Sequence, residues 1–180
     1  MCMKKQAFIL LMSMLSLLSC NELSKITQFS MPLSQDVSLS KGLSTDSLSV
    51  LSVVDVPTNS ASFFESNSIS PELVGTITLK KFDITLTSPT NKNLSFLKSM
   101  EISIIAPDSS VIAWSHSVPD SVGSTLPLDV DSIRNLKSLI INKTSLKLKI
   151  KGETRAALDT TTYIITLKPE FTVDLDVLGM

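Results

Sequence analysis

The chain has a single histidine, His116, in the run Val111-Ile112-Ala113-Trp114-Ser115-His116. An imidazole can move a proton or hold a metal, but both tasks need further groups around it. No second His or Cys lies nearby, so His116 reads as a structural or solvated residue. Trp114, two positions earlier, would share its strand face and make a ligand platform as the alternative. Two aspartate pairs, Asp129/Asp131 and Asp174/Asp176, have the same spacing. On a strand each pair would present two carboxylates side by side, as calcium ligation or glycoside hydrolysis uses. Both pairs alternate with apolar residues (Leu128 and Val130; Val173, Leu175 and Val177), so the wet face of an amphipathic strand accounts for them without chemistry. No G-x-S-x-G elbow and no glycine-rich phosphate loop occurs. These residues predict a protein that is not an enzyme and has no catalytic residue, metal or cofactor. A hydrolase using paired Asp is the alternative class.

A further pattern recurs. Asp-Ser/Thr followed by an aliphatic residue, Met, Ala or Thr stands at Asp46-Ser47-Leu48, Asp120-Ser121-Val122, Asp131-Ser132-Ile133 and Asp159-Thr160-Thr161; composition alone gives about one such triplet. The four triplets resemble the O-glycosylation acceptor of some Gram-negative envelope proteins, which would make Ser47, Ser121, Ser132 and Thr160 acceptors. Asp-Ser and Asp-Thr also favour turns and caps through their side-chain oxygens, and both readings stand. A glycan would need all four hydroxyls exposed, since packed interiors leave almost no voids.

Lys4 and Lys5 precede an apolar stretch, Ala7 to Leu18, broken only by Ser13 and Ser16, and then Leu17-Leu18-Ser19-Cys20. A basic start and about a dozen apolar residues fit a secretory signal; about 20 are needed for a spanning helix. The last four residues resemble the lipobox of bacterial lipoproteins. That resemblance implies cleavage before Cys20 and acylation of Cys20, with the acyl chains as the membrane anchor. Cys2 would leave with the signal, so no thiol remains for a disulfide. Losing Lys4 and Lys5 as well leaves 14 basic against 17 acidic residues, a mature charge of −3.

The elements that must position these residues follow a period of two. Phe29, Met31, Leu33, Val37 and Leu39 open it; Met100-Ile102-Ile104, Leu126-Leu128-Val130 and Leu146-Leu148-Ile150 repeat it. Tyr163, Ile165, Leu167, Phe171, Val173, Leu175 and Val177 share one phase, with Pro169 inside, which predicts an edge strand or a break there. Ile77 and Leu79 are out of phase with Phe82, Ile84 and Leu86, predicting a β-bulge or sheet corner near Lys80-Lys81. Leu94, Leu97 and Met100, then Ile133, Leu136 and Ile140, have helical spacing, and Asp131 or Ser132 would cap the second helix. The expected fold is all-β: an antiparallel two-sheet β-sandwich, Ig-like or LEA-like, with one or two short helices. The organisation is a signal peptide over 1–19, a lipidated Cys20 with a short tether over 20–28, and the β-sandwich domain over 29–178.

The whole layout resembles small β-sandwich lipoproteins of Gram-negative envelopes. What this implies is a lipid-anchored cell-envelope protein with a binding or structural role, at the outer membrane. Asn21-Glu22-Leu23 after Cys20, without the acidic cluster that some envelopes use for surface export, favours its periplasmic side over the surface. A carrier of a hydrophobic ligand between the sheets is another alternative. The partners would be the membrane, through acyl chains, and an envelope protein or glycan. The formal charge of −1, from 16 Lys+Arg against 17 Asp+Glu, argues against nucleic acid. Thr58 to Pro71 reads as the longest loop, and Phe63-Phe64 within it as a possible partner contact, or as a pair folded back onto the core.

Overall fold

A computed structural model describes residues 27–39, 45, 47–105, 109–155 and 162–176. Strands β1 (Gln28–Pro32), β2 (Gln35–Ser38) and β3 (Ser49–Pro57) lead into a short helix, α1 (Ser60–Ser66). After a 3-10 turn at Pro71–Leu73 comes the longest strand, β4 (Val74–Ser88). A second 3-10 turn, Leu94–Phe96, runs straight into β5 (Leu97–Ile104), followed by β6 (Val111–Ser115) and β7 (Thr125–Val130). Helix α2 (Lys137–Ile141), β8 (Ser145–Thr154) and β9 (Ile164–Leu175) complete the order.

Every strand pairing is antiparallel. The strands form one curled sheet in the order β1-β9-β4-β7-β6-β5-β8-β3, with β2 also on β9. The expected all-β sandwich is therefore the fold, and β7 is its corner. Thr125 to Leu128 pair with β4, whereas Asp129 and Val130 pair with β6, so one strand serves both layers. Between the layers lie Leu51, Ile77, Leu79, Phe82, Ile84, Met100, Ile102, Ile150 and Phe171, all essentially inaccessible to solvent. At about 25 cal/mol per Å² of apolar surface, such side chains hold the domain together.

Alternation explains most of the elements. On β8, Leu146, Leu148 and Ile150 point inward while Lys147, Lys149 and Lys151 point out. The break of phase in β4 is a bulge where expected: Leu79 pairs with Phe171 and Lys81 with Glu170, so Lys80 is the extra residue. Pro169 behaves differently from the expectation. It lies inside β9, a strand paired on both sides, and the interruption falls in the neighbour instead, between β1 and β2. Leu33 N–H donates to the Pro169 carbonyl at 2.9 Å. The C=O and N of one strand residue face the same side, so the missing N–H of Pro169 is aimed at that gap, where no acceptor is wasted.

Both helical expectations need correction. Leu94 starts a 3-10 turn, but Leu97 and Met100 belong to β5. Helix α2 begins at Lys137, and Ile133 is outside it and 91% exposed. Neither Asp131 nor Ser132 caps it. Instead Asn135 Oδ1 accepts from Lys137 N–H at 3.0 Å and from Ile77 N–H at 3.2 Å, tying the start of α2 to β4. Leu136 N–H donates to the Ile77 carbonyl at 2.7 Å, so residues 135–136 take the place of a strand beside the first half of β4.

Candidate functional site

Cys20 and Thr160 lie outside the described residues, as do Asp46 and Asp159. The other three triplet hydroxyls are exposed on connections: Ser47 just ahead of β3, Ser121 in the turn between β6 and β7, and Ser132 just past β7. Two of the neighbouring aspartates have structural partners. Asp120 pairs with Arg155 at 2.8 Å. Asp131 accepts from the Ile133 and Arg134 N–H groups at 3.3 Å each and from Arg134 Nε at 3.1 Å. The Arg134 bond, with those two backbone donors, holds the Asp131 carboxyl below its usual range.

The aspartate pairs do not converge. Asp131 is committed to its turn, while Asp129 sits opposite Trp114 on the outer face. Asp174 accepts from Thr27 Oγ1 at 3.2 Å, and the Asp176 N–H donates to the Leu73 carbonyl at 2.8 Å. Strand β4 separates β7 from β9, and the levels differ: Asp174 is opposite Thr76, whereas Leu128, next to Asp129, is opposite Phe82. Among the described residues no group of three or more His, Cys, Asp or Glu side chains could share a metal ion. No helix among them is long and apolar enough to cross a membrane.

Trp114 and His116 share a face as expected, with ring centroids 6.1 Å apart and planes inclined by 28°. The segment read as a loop around Phe63-Phe64 contains α1. Phe64 is 3% exposed and sits in the core, and Phe63 packs half-buried against it, edge-on at 5.8 Å. The pair has folded back, which removes Phe64 as a partner contact and leaves only part of Phe63 accessible. The cause is helical placement: successive positions point about 100° apart, so one Phe faces inward and its neighbour flanks it.

Around the β4 bulge several charges pair with one another. Lys80 pairs with Glu170 at 2.8 Å and Lys81 with Asp83 at 2.6 Å. Glu170 also accepts from Ser30 at 2.8 Å; Lys80 first, then Ser30, hold its carboxyl low, while Asp83 raises Lys81. Hydroxyls fill the rest, as in Thr85 and Thr125, whose oxygens are 3.3 Å apart.

The residues that sequence reading missed surround a depression at the end of the sandwich bearing α2. Its volume is about 540 Å³, and Pro71, Glu72, Asn135, Lys137, Ser138 and Ile141 line it. A neighbouring hollow of about 270 Å³ between α1 and α2 shares Ile141 and Asn142. Glu72 accepts from the Ser70 hydroxyl, and this bond holds its carboxyl below the ordinary range. Nothing local in the sequence marks this set, because Glu72 and Lys137 come from segments that meet only in the folded chain.

No family model and no curated protein matches the chain. Among solved structures it is similar to the cyanophage Pam1 capsid asymmetric unit, with 6% identity and a TM-score of 0.42 over 81% of this chain and 86% of that one. It is also similar to a decameric BFDV capsid protein, with 10% identity and a TM-score of 0.36 over 81% of this chain and 99% of that one. A third likeness is to the infectious bursal disease virus VP2 subviral particle, with 9% identity and a TM-score of 0.37 over 83% of this chain and 32% of that one.

Proposed function

We propose that this chain is a non-catalytic, lipid-anchored protein of the cell envelope, held by acyl chains on Cys20, whose β-sandwich serves a binding or structural role. The observation that carries the reading is the lipobox Leu17-Leu18-Ser19-Cys20 behind its basic, apolar leader. The start of β1 at Gln28 is consistent with it, being eight residues beyond Cys20. At about 3.3–3.6 Å per extended residue that stretch reaches less than about 30 Å, so a sandwich anchored there works close to its membrane. The placement we favour is the periplasmic side of the outer membrane. The test is Cys20→Ala: the variant is expected to leave the detergent phase or to remain uncleaved. Unchanged partitioning together with unchanged mature mass would overturn the reading.

A second reading, O-glycosylation, is supported by the exposure of Ser47, Ser121 and Ser132 on connections. Intact mass from the native envelope tests it, against a variant with Ala at these positions and at Thr160. A native mass equal to polypeptide plus lipid would leave the triplets as turn chemistry.

A further inference from the structure

The depression beside α2 combines features that suit a ligand with two opposite charges. Three residues with side-chain donors, Lys137, Ser138 and Asn135, line it. The Asn135 oxygen is already occupied by two backbone N–H groups, which leaves its NH₂ as the end free to donate. Glu72, an exposed carboxylate, lines the same depression. Glu72 and Lys137 do not pair with each other, and neither has an ionic partner among the described residues. Elsewhere opposite charges facing one hollow have closed on each other, as Lys81 and Asp83 have. Pro71 and Ile141 add apolar surface to the same lining. The depression is open to solvent, and its volume of about 540 Å³ is more than one amino acid fills.

We propose that this depression binds a short peptide with free ends, its carboxylate received by Lys137, Ser138 and Asn135 and its ammonium by Glu72. Charge complementarity sets the direction, since the reversed peptide would put like charges together at both ends. The backbone of the peptide lies over Pro71 and Ile141, and the adjoining hollow at Asn142 gives room for a longer ligand. This goes beyond the anchored-module reading and does not depend on it, because the depression belongs to the sandwich itself.

The test uses the full chain in detergent, titrated with trialanine, N-acetyl-trialanine and trialanine amide, and followed by calorimetry. Trialanine is expected to bind, and each blocked form to bind about tenfold or more weakly, the loss of one partly exposed charge contact. Glu72→Gln should abolish discrimination against the acetylated peptide while keeping discrimination against the amide. Lys137→Met, which keeps the apolar stem, should do the reverse. Both side chains sit at the surface, so circular dichroism should show unaltered folds. The proposal is overturned by absence of trialanine binding up to about 10 mM, far weaker than any specific site of this size, or by equal affinities for free and blocked peptides. It is equally overturned if the two variants weaken all three peptides alike.

Discussion

The bulge in β4 gives a counterintuitive prediction about deletions. In the chain as it stands, Ile77 and Leu79 share a phase, Lys80 is supernumerary, and Phe82, Ile84 and Leu86 resume the inward set. Deleting Lys80 leaves Leu79, Lys81 and Phe82 in regular alternation, still opposite Phe171, Glu170 and Pro169. The main loss is the Lys80–Glu170 ion pair, whose side chains are 58% and 28% exposed. A pair so exposed contributes at most about 1 kcal/mol. Deleting Thr78 is the contrasting case. Ile77 then adjoins Leu79, and no placement of a single bulge keeps Ile77, Leu79 and Phe82 all inside. One fully buried Ile or Leu must face water, at about 2–5 kcal/mol each, a large part of the roughly 5–15 kcal/mol that such domains possess. Urea unfolding followed by the fluorescence of the sole tryptophan, Trp114, measures both variants. The expected result is a ΔLys80 stability within about 1 kcal/mol of the parent and a ΔThr78 chain destabilised by at least about 3 kcal/mol or unfolded. If ΔLys80 is as damaging as ΔThr78, the bulge does more than correct phase, and the reasoning fails.

Gly152→Ala should cost about 1–3 kcal/mol, because a Cβ there would stand 2.7 Å from Leu51 Cδ1 and 3.3 Å from the Ser99 carbonyl; Gly123→Ala, with nothing within 4 Å, should stay within about 0.5 kcal/mol in the same unfolding assay. Arg155 donates through Nε to the Ser95 carbonyl at 3.0 Å and through its guanidinium to the Val118 carbonyl, so Arg155→Ala should lower stability by about 1–3 kcal/mol. Asp120→Asn, which removes only an ionic partner that is 86% exposed, should be nearly silent by comparison. Asp131 and Glu170 are more acidic folded than their ordinary values of 3.8 and 4.5, so their contribution is complete above those values and is lost as pH falls through the lowered ones. The Asp131→Asn, Glu170→Gln double variant should therefore show a flatter fall of stability below about pH 4.5 than the parent, measured by urea midpoints across that range; equal slopes would contradict the assignment.

The parts of the fold that were legible in the sequence are those governed by strict alternation. Tyr163 to Leu175 and Leu146 to Ile150 read as strands because one face of each meets the core, and even the bulge at Lys80 was visible as a slip of phase. Where a bulge kept residues three apart on one face, the same logic misled. Leu97 and Met100 both point inward because β5 shifts register between Leu97 and Ser99, and that spacing imitates a helix. Pro169 does not mark an edge or a break in its own strand because its missing donor is accommodated by a gap in another strand, a fact about residues 32–35 rather than about Pro169. Phe63 and Phe64 could not be placed without knowing that α1 exists. The α2 depression was beyond reach, since Glu72 and Lys137 are neighbours only through the packing of a turn before β4 against the segment after β7.

Strand β9 has a consequence for how the chain comes to be folded. It is the last strand described, yet it stands at the heart of its layer, pairing with β1, β2 and β4. The pairs Gln28–Asp174 and Phe29–Val173 join segments from opposite ends of the described chain. A polypeptide emerging from its amino end can close the β5–β6 hairpin early, but β1 and β2 have nowhere to dock, and the first half of β4 has only residues 135–136 beside it, until Ile164 to Leu175 arrive. Assembly of that layer is thus delayed until nearly the whole sandwich sequence is available, which keeps the chain threadable for as long as it is being made or moved. A chain stopped before Ile164 would lose the central strand of one layer and expose its partners, ending as an aggregation-prone fragment and not as a smaller sandwich.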